Sequence, residues 1–107
     1  MNGRPTILEI ATTKYDVDRD LVEHAMISLQ MVCNVKDGFL ISNPMERFGW
    51  AFFKVLIKAE LLSEMQLKLS DQITSSKGKK IEEKFVNFMI SLFEKENAKV
   101  KVKLVED

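Results

Sequence analysis

The longest apolar stretch of the chain most constrains its fold, because a single domain must bury it. It reads FGWAFFKVLIKAELLSEMQLKL over positions 48–69 and contains the only Trp and three of the seven Phe. Asn43, Pro44 and Glu46 precede it in the order of a helix N-cap, a first-turn proline and the acid of a capping box. The sequence therefore predicts a helix that begins at Pro44.

The length of this predicted helix has a consequence for assembly. A continuous helix over residues 44–73 would be about 45 Å long. A domain of this size has a radius of gyration of only about 13 Å. We therefore expect either a break near Ser63 or Ser70, or a helix that projects and packs against a second copy of the chain.

The composition indicates one soluble domain spanning residues 1–107. The 16 basic and 16 acidic side chains give a formal net charge of zero, which disfavours a nucleic-acid coat protein or a polybasic membrane binder. Cys33 is the only Cys, so no internal disulfide can form, which fits a reducing compartment. The sequence has no secretory leader and no apolar run of about 20 residues. We expect a cytoplasmic protein with no membrane partner.

Two further helices are predicted from apolar residues that recur on one face, over residues 16–30 and 80–97. Between the first of them and Asn43, two apolar runs flank Lys36, Asp37 and Gly38, a pattern typical of a β-hairpin at 31–42. The alternative is that the first helix runs on to Val35 and that Gly38 ends it.

The two ends of the chain contain β-capable segments. Residues 98–105, AKVKVKLV, alternate strictly and predict a C-terminal edge strand, with Lys99, Lys101 and Lys103 pointing outward as protection of that edge. The segment TILEIA at 6–11 is either a strand that pairs with this one or a first helical turn. The predicted fold class is mainly α with a small β component and about three main helices.

Residues 6–26, TILEIATTKYDVDRDLVEHAM, resemble the helix-turn-helix of transcriptional regulators. The first helix would end near Ala11, the turn would cover residues 15–17, and the second helix would begin after Asp18. With a hairpin at 31–42 as the wing, the similarity extends to winged-helix DNA-binding proteins. This resemblance implies a small dimeric regulator whose second helix enters the groove of double-stranded DNA.

The predicted DNA contacts come from four places. The resemblance places them just before the turn at Lys14, on the second helix and at the wing tip, and a separate basic cluster at 77–80 suits phosphate. The full set is Lys14, Arg19, Asp20, Glu23, His24, Lys36, Lys77, Lys79 and Lys80.

Two wide apolar helix faces exceed what so short a chain can cover, so we expect a homodimer or a protein partner. The predicted dimer interface consists of Trp50, Phe53, Leu62, Met65, Phe85, Phe88, Met89 and Leu92. The same surplus supports a second hypothesis, a non-enzymatic protein-binding module such as an adaptor, inhibitor or assembly factor of phage or plasmid type.

Enzymatic function is not expected. His24 and Cys33 are the only His and Cys, and their separation of nine positions would place them on opposite sides of a continuous helix. The four Gly are scattered, so no phosphate-binding loop is formed. We therefore predict no catalytic residues, no metal site and no cofactor.

Overall fold

The computed structural model describes residues 4–105, and this range contains five strands and four helices. In chain order they are β1 (Thr6–Thr12), α1 (Tyr15–Cys33), β2 (Phe39–Ile41), β3 (Met45–Arg47), β4 (Trp50–Ile57), α2 (Ala59–Lys68), α3 (Ser70–Thr74), α4 (Ile81–Lys95) and β5 (Lys101–Leu104).

The strands form one antiparallel sheet in the order β2-β4-β1-β5. Strand β3 follows β2 along the same edge, because β2 pairs with the second half of β4 and β3 pairs with the first half. If β2 and β3 are counted as one interrupted strand, the chain has the β-α-β-β-α-β connectivity of the split β-α-β arrangement. The first strand lies between the third and the last.

The helices cover one face of this sheet. Alternate residues of the two central strands point into the core, among them Leu8 and Ile10 of β1 and Phe53 of β4. They form one cluster with the buried residues of the helices, such as Met26 of α1 and Phe93 of α4. The core therefore lies between the sheet and a single layer of helices.

The prediction of a mainly α fold is wrong: the described residues are 48% helix and 25% strand, an α/β fold centred on a five-stranded sheet. The error lies in residues 44–57, which form β3 and β4 instead of the start of a long helix. Strand β4 has neighbours on both sides and is apolar on both faces except at Lys54, so its sequence is an almost continuous apolar run. The largest extent of the molecule, 38 Å, is also shorter than the alternative of one continuous helix over residues 44–73, and the helical part of this range is divided before Ser70, between α2 and α3.

The predicted helix cap is part of a strand edge. Asn43 and Pro44 separate β2 from β3, at an edge where a proline without an N–H costs no ladder bond. Ser42 keeps the edge attached, since its hydroxyl accepts from the Lys54 N–H at 2.8 Å and its own N–H donates to the Lys54 carbonyl at 2.9 Å. The capping-box assignment is therefore wrong.

The hairpin predicted at 31–42 is also wrong. Helix α1 continues to Cys33 and ends at Asn34, which is left-handed at φ 57°. A hairpin occurs instead between β3 and β4, with Phe48 at φ 54° and Gly49 at φ 79° as its two central residues. Positive φ at both central positions is the mark of a type I′ turn.

The segments at the chain ends form neighbouring strands. TILEIA belongs to β1, which pairs with β4 and with the C-terminal strand, so the strand alternative describes it correctly. The C-terminal strand lies at the sheet edge and is shorter than the predicted 98–105. The helices predicted at 16–30 and 80–97 correspond to α1 and α4.

Two adjacent phenylalanines on β4, Phe52 and Phe53, allow a test of which face of the sheet the helices cover. Phe53 is 2% exposed in the core, whereas Phe52 points to the other side and is only partly buried. We expect Phe53→Ala to lower the free energy of unfolding by about 3–5 kcal/mol. Phe52→Ala should lower it by only about 1 kcal/mol. Denaturant unfolding followed by circular dichroism measures both, and equal losses would contradict the described register.

Candidate functional site

The face of the sheet that points away from the helices is the candidate functional site. We call it the open face. Its residues follow from the strand register and all lie outside the core cluster. They are Ile7, Glu9, Ala11, Leu40, Met45, Arg47, Trp50, Phe52, Lys54, Leu56, Lys101 and Lys103.

Aromatic side chains occupy the middle of the open face. Trp50 and Phe52 stand two positions apart on β4, which separates them by about 7 Å along the strand. Ala11 of β1 lies directly beside Phe52, and its small side chain leaves space next to that ring. The Lys101 Nζ lies 5.0 Å from the centroid of the Trp50 ring, within the range of a cation–π interaction.

Basic side chains surround these rings. Arg47, Lys54, Lys101 and Lys103 are all exposed on the open face, and Glu9 is the one carboxylate among them. Because the whole chain has a formal net charge of zero, this excess must be balanced elsewhere. Exposed carboxylates lie on α1 at Asp16 and Asp20. The open face therefore carries a local excess of positive charge, with four basic side chains against one carboxylate.

Two clefts meet at the end of the sheet near the β3–β4 turn. One has a volume of about 570 Å³ and lies between the turn and the start of α1. The other, of about 410 Å³, lies between the start of β5 and the end of α4. Both are lined by Thr12, Thr13 and Trp50. Trp50 thus stands at the junction of the open face and the two clefts.

A buried hydrogen bond fixes the shared wall of these clefts. The Thr12 hydroxyl donates to the Asp18 carboxylate at 2.5 Å, and it accepts from the Lys14 backbone N–H at 2.9 Å. Thr12 is 2% exposed and Asp18 is 5% exposed. Because an unsatisfied buried carboxylate is costly, this contact holds the end of β1 against the first turns of α1.

Phe48 projects from the turn beside the larger cleft. Its side chain is 94% exposed, the largest exposed fraction of the large apolar residues in the described range. Its left-handed backbone is one that a bulky residue rarely adopts. Nothing in the packing of the monomer accounts for an aromatic residue at this position.

The predicted helix-turn-helix does not form at residues 6–26, because its first helix is strand β1. The contacts predicted on its second helix lie on α1 and interact with one another. The Arg19 guanidinium lies 2.7 Å from the Glu23 carboxylate and 3.7 Å from that of Asp20. His24 is exposed one turn further along α1. Arg19 is therefore paired with neighbouring carboxylates on its own helix.

The remaining predicted DNA contacts are scattered. Lys36 lies beyond the opposite end of α1 from Lys14, a helix of about 28 Å. Lys14 lines the larger cleft at the start of that helix. Neither lies on the open face.

The lysines at 77–80 belong to the exposed loop before α4. The Glu83 carboxylate accepts from the backbone N–H of Lys79 at 2.8 Å and from that of Lys80 at 3.3 Å. These hydrogen bonds lower the pKa of Glu83 from its ordinary value. The Lys77 carbonyl accepts from the Asn87 side chain at 2.8 Å. The sequence-predicted basic cluster is thus a structured loop away from the sheet.

The residues predicted to form a dimer interface lie in three environments. Phe53, Met65 and Met89 are in the core and are at most 2% exposed, so they have no surface for a second chain. Trp50 lies on the open face. Half-buried side chains that pack against the core make up the rest: Leu62, Phe85, Phe88 and Leu92.

Cys33 and His24 are separated on α1. Cys33 is buried, and burial raises the pKa of its thiol, which keeps it protonated and unreactive at neutral pH. The Lys68 ammonium, which lies near it, donates to the Cys33 carbonyl at 3.0 Å. His24 is exposed. The geometry does not bring the two together as a nucleophile and its base.

No family model, curated protein or solved structure matches the chain. Within residues 4–105, no helix is both long enough and apolar enough to cross a membrane.

Arg47, Phe52 and Lys54 were missed as site residues, and Trp50 was predicted only as a dimer contact, because β3 and β4 were assigned to a helix. One signal was present in the sequence. Gly49 follows Phe48 between two β-capable runs, and glycine is favoured at a two-residue turn. Taking 48–49 as that turn would have placed Trp50, Phe52 and Lys54 on one side of a strand.

The Phe48 backbone gives a testable prediction about stability. We expect Phe48→Asn to raise the free energy of unfolding by about 1 kcal/mol, because Asn adopts the left-handed conformation readily and the ring is not buried. Phe48→Ala, which removes the ring but keeps an unfavourable Cβ, should leave it nearly unchanged. Thermal and denaturant unfolding measure both, and a loss of stability in the Asn variant would contradict the turn geometry.

Proposed function

We propose that the protein binds single-stranded nucleic acid on the open face of its sheet. The observation that carries the proposal is the placement of Trp50 and Phe52 side by side on a central strand, with exposed basic side chains around them. Bases stack on such aromatic rings, while Lys and Arg neutralise the phosphates that connect them.

The position of the rings within the fold supports this proposal. In RNA-recognition-motif sheets, bases stack on aromatics that include those of the strand pattern K/R-G-F/Y-G/A-F-V-x-F/Y. Gly49, Trp50, Ala51 and Phe52 match its second to fifth positions, with Trp as the first aromatic. Trp50, Ala51 and Phe52 begin the third strand in chain order, if β2 and β3 are counted as one. The match is partial: Phe48 stands in the basic position, and Phe53 and Val55 stand where the pattern has Val and its last aromatic.

The residues of β1 on the open face also differ from the RNA-recognition-motif arrangement. They are Ile7, Glu9 and Ala11, so β1 supplies no aromatic ring. We therefore expect fewer stacked bases, with Trp50 and Phe52 as the main platforms. Lys101 lies over Trp50, and a base that stacks on that side displaces the ammonium toward the phosphates.

Binding through the sheet replaces the mode that the helix-turn-helix resemblance implies. On the side of α1 predicted to face DNA, Arg19 is paired with the carboxylates of Asp20 and Glu23, so this surface has no positive excess to offer a polyanion. A regulatory role, dimerisation and a cytoplasmic location remain predictions from the sequence.

Protein binding is the second candidate, and a specific observation favours it. Leu40 and Met45 are 54% and 61% exposed on the open face. Leu40 continues a row through Leu56 to Ile7 across three strands. Such a row suits the apolar centre of an interface with a second copy or another protein. Light scattering of the wild type and of Leu40→Glu tests it, since a dimer formed here should dissociate in the variant.

Trp50 is the only Trp, so its emission reports binding at the proposed site directly. We expect short single-stranded RNA or DNA to quench this emission at low salt, with affinity that falls as salt rises. Phe52→Ala should weaken binding by about 1–3 kcal/mol for a lost stacking contact. Fluorescence anisotropy of labelled oligonucleotides gives the dissociation constants, and RNA and DNA of one sequence reveal any role of the 2′-hydroxyl.

Matched charge reversals distinguish the open face from the loop. Lys54→Glu should weaken binding and reduce the magnitude of the salt slope by about 0.7 or more, whereas Lys77→Glu should change neither. A larger effect of Lys77→Glu would overturn the choice of surface. Failure of the wild type to bind any single strand at low salt, or tighter binding to duplex DNA, would overturn the proposed function.

A further inference from the structure

The larger cleft beside the open face has the chemistry of a pocket for a single base. Its volume of about 570 Å³ falls within the range of pockets that hold small organic groups. Three of its lining residues are aromatic: Tyr15 at the start of α1, Phe48 in the turn and Trp50 at the start of β4. Aromatic walls suit a flat aromatic ligand, because such rings make favourable offset-stacked or edge-to-face contacts with one another.

One of the walls is rigid. The Tyr15 ring packs edge-on against Phe53, with 5.5 Å between ring centroids and an interplanar angle of 76°. Phe53 is a core residue, so Tyr15 is anchored to the core. Its position is thus set before any ligand arrives.

The polar residues of the cleft also suit a nucleotide. Lys14 and Arg47 line it and carry the charge needed for phosphate. Asp16 and Glu46 line it as well, and carboxylates accept hydrogen bonds from the amino groups of bases. The mixture of both charges suits a base with its phosphate better than a bare anion.

The exposure and backbone conformation of Phe48 indicate that its ring serves binding at the cleft and not folding. Its ring is almost fully exposed and its backbone is left-handed, so the residue adds little to packing and costs conformational energy. Unfavourable backbone conformations of this kind occur preferentially at binding sites.

We propose that this cleft binds one unstacked base of the strand that crosses the open face, with Phe48 as its outer wall. The inference rests on the proposed function and adds a specific subsite to it. Trp50 and Arg47 belong to both the open face and the cleft, so a strand stacked on Phe52 and Trp50 continues directly into the cleft.

The test uses oligonucleotides of about five residues with the fluorescent base 2-aminopurine placed at one position at a time. In the wild type, a base near one end of the oligonucleotide should show the strong change in emission that accompanies enclosure between rings. Phe48→Asn should abolish the change at that position and raise the dissociation constant by about fivefold or more. Its melting temperature should not fall, and Phe48→Tyr should retain both signals.

A second variant separates the cleft from the sheet. Phe52→Ala should weaken binding of every oligonucleotide, while the cleft signal returns when the protein is saturated. If the wild type binds but Phe48→Asn leaves the affinity and every 2-aminopurine signal unchanged, the cleft inference is wrong and the proposed function stands. If the wild type binds no single strand, both fail. Binding to phosphatidylserine vesicles that depends on Phe48, without oligonucleotide binding, would assign the ring to a lipid surface and overturn the inference.

Discussion

Seven backbone pairs hold β1 against β4, from Thr6 opposite Ile57 to Thr12 opposite Ala51. This register decides which side chains of β4 enter the core and which stay outside. A slip of one residue would bury Lys54 and expose Phe53, which the core could not tolerate. The core therefore fixes the open face indirectly, since the burial of Phe53, Val55 and Ile57 leaves Trp50, Phe52 and Lys54 on the other side.

The sequence correctly predicted α1 and α4, each of which has one apolar face. It did not predict strand β4, which has apolar residues on both faces. The α1 and α4 segments alternate polar and apolar surface at helical spacing, because each contacts the core on one side only. Strand β4 is apolar toward the core and aromatic toward the open face, and this removes the two-residue alternation that identifies a strand. Asp37 and Gly38 led to the incorrect hairpin prediction for a different reason. A Cβ at Gly38 would lie 2.9 Å from the Cβ of Leu61, so the glycine allows close packing and does not form a hairpin turn.

The candidate site was only partly visible for the same reason. The alternation of Lys101 and Lys103 predicted that they point outward, and they do lie on the open face. Their proximity to Trp50 and Glu9 depends on which strands become neighbours, and that is set by long-range pairing of the two chain ends with β4. Local patterns contain no information about such pairing. Local patterns identify the basic residues of the 77–80 loop, because these are close in sequence. They do not identify a basic surface whose residues come from three different strands.

The interruption at Asn43 and Pro44 divides the sheet into parts of unequal stability. Strand β3 has three residues, all exposed, and its strand pairing is with the first residues of β4. Strand β1 pairs with nearly the whole of β4, from Ala51 to Ile57, so the two ends differ on the other edge, where β2 holds the half that contributes Val55 and Ile57 to the core. Amide hydrogens near the turn should therefore exchange with solvent through local opening, at a small fraction of the free energy of global unfolding. The end of the sheet that holds Phe48 and Trp50 is thus able to adapt its shape while the core beneath it remains closed.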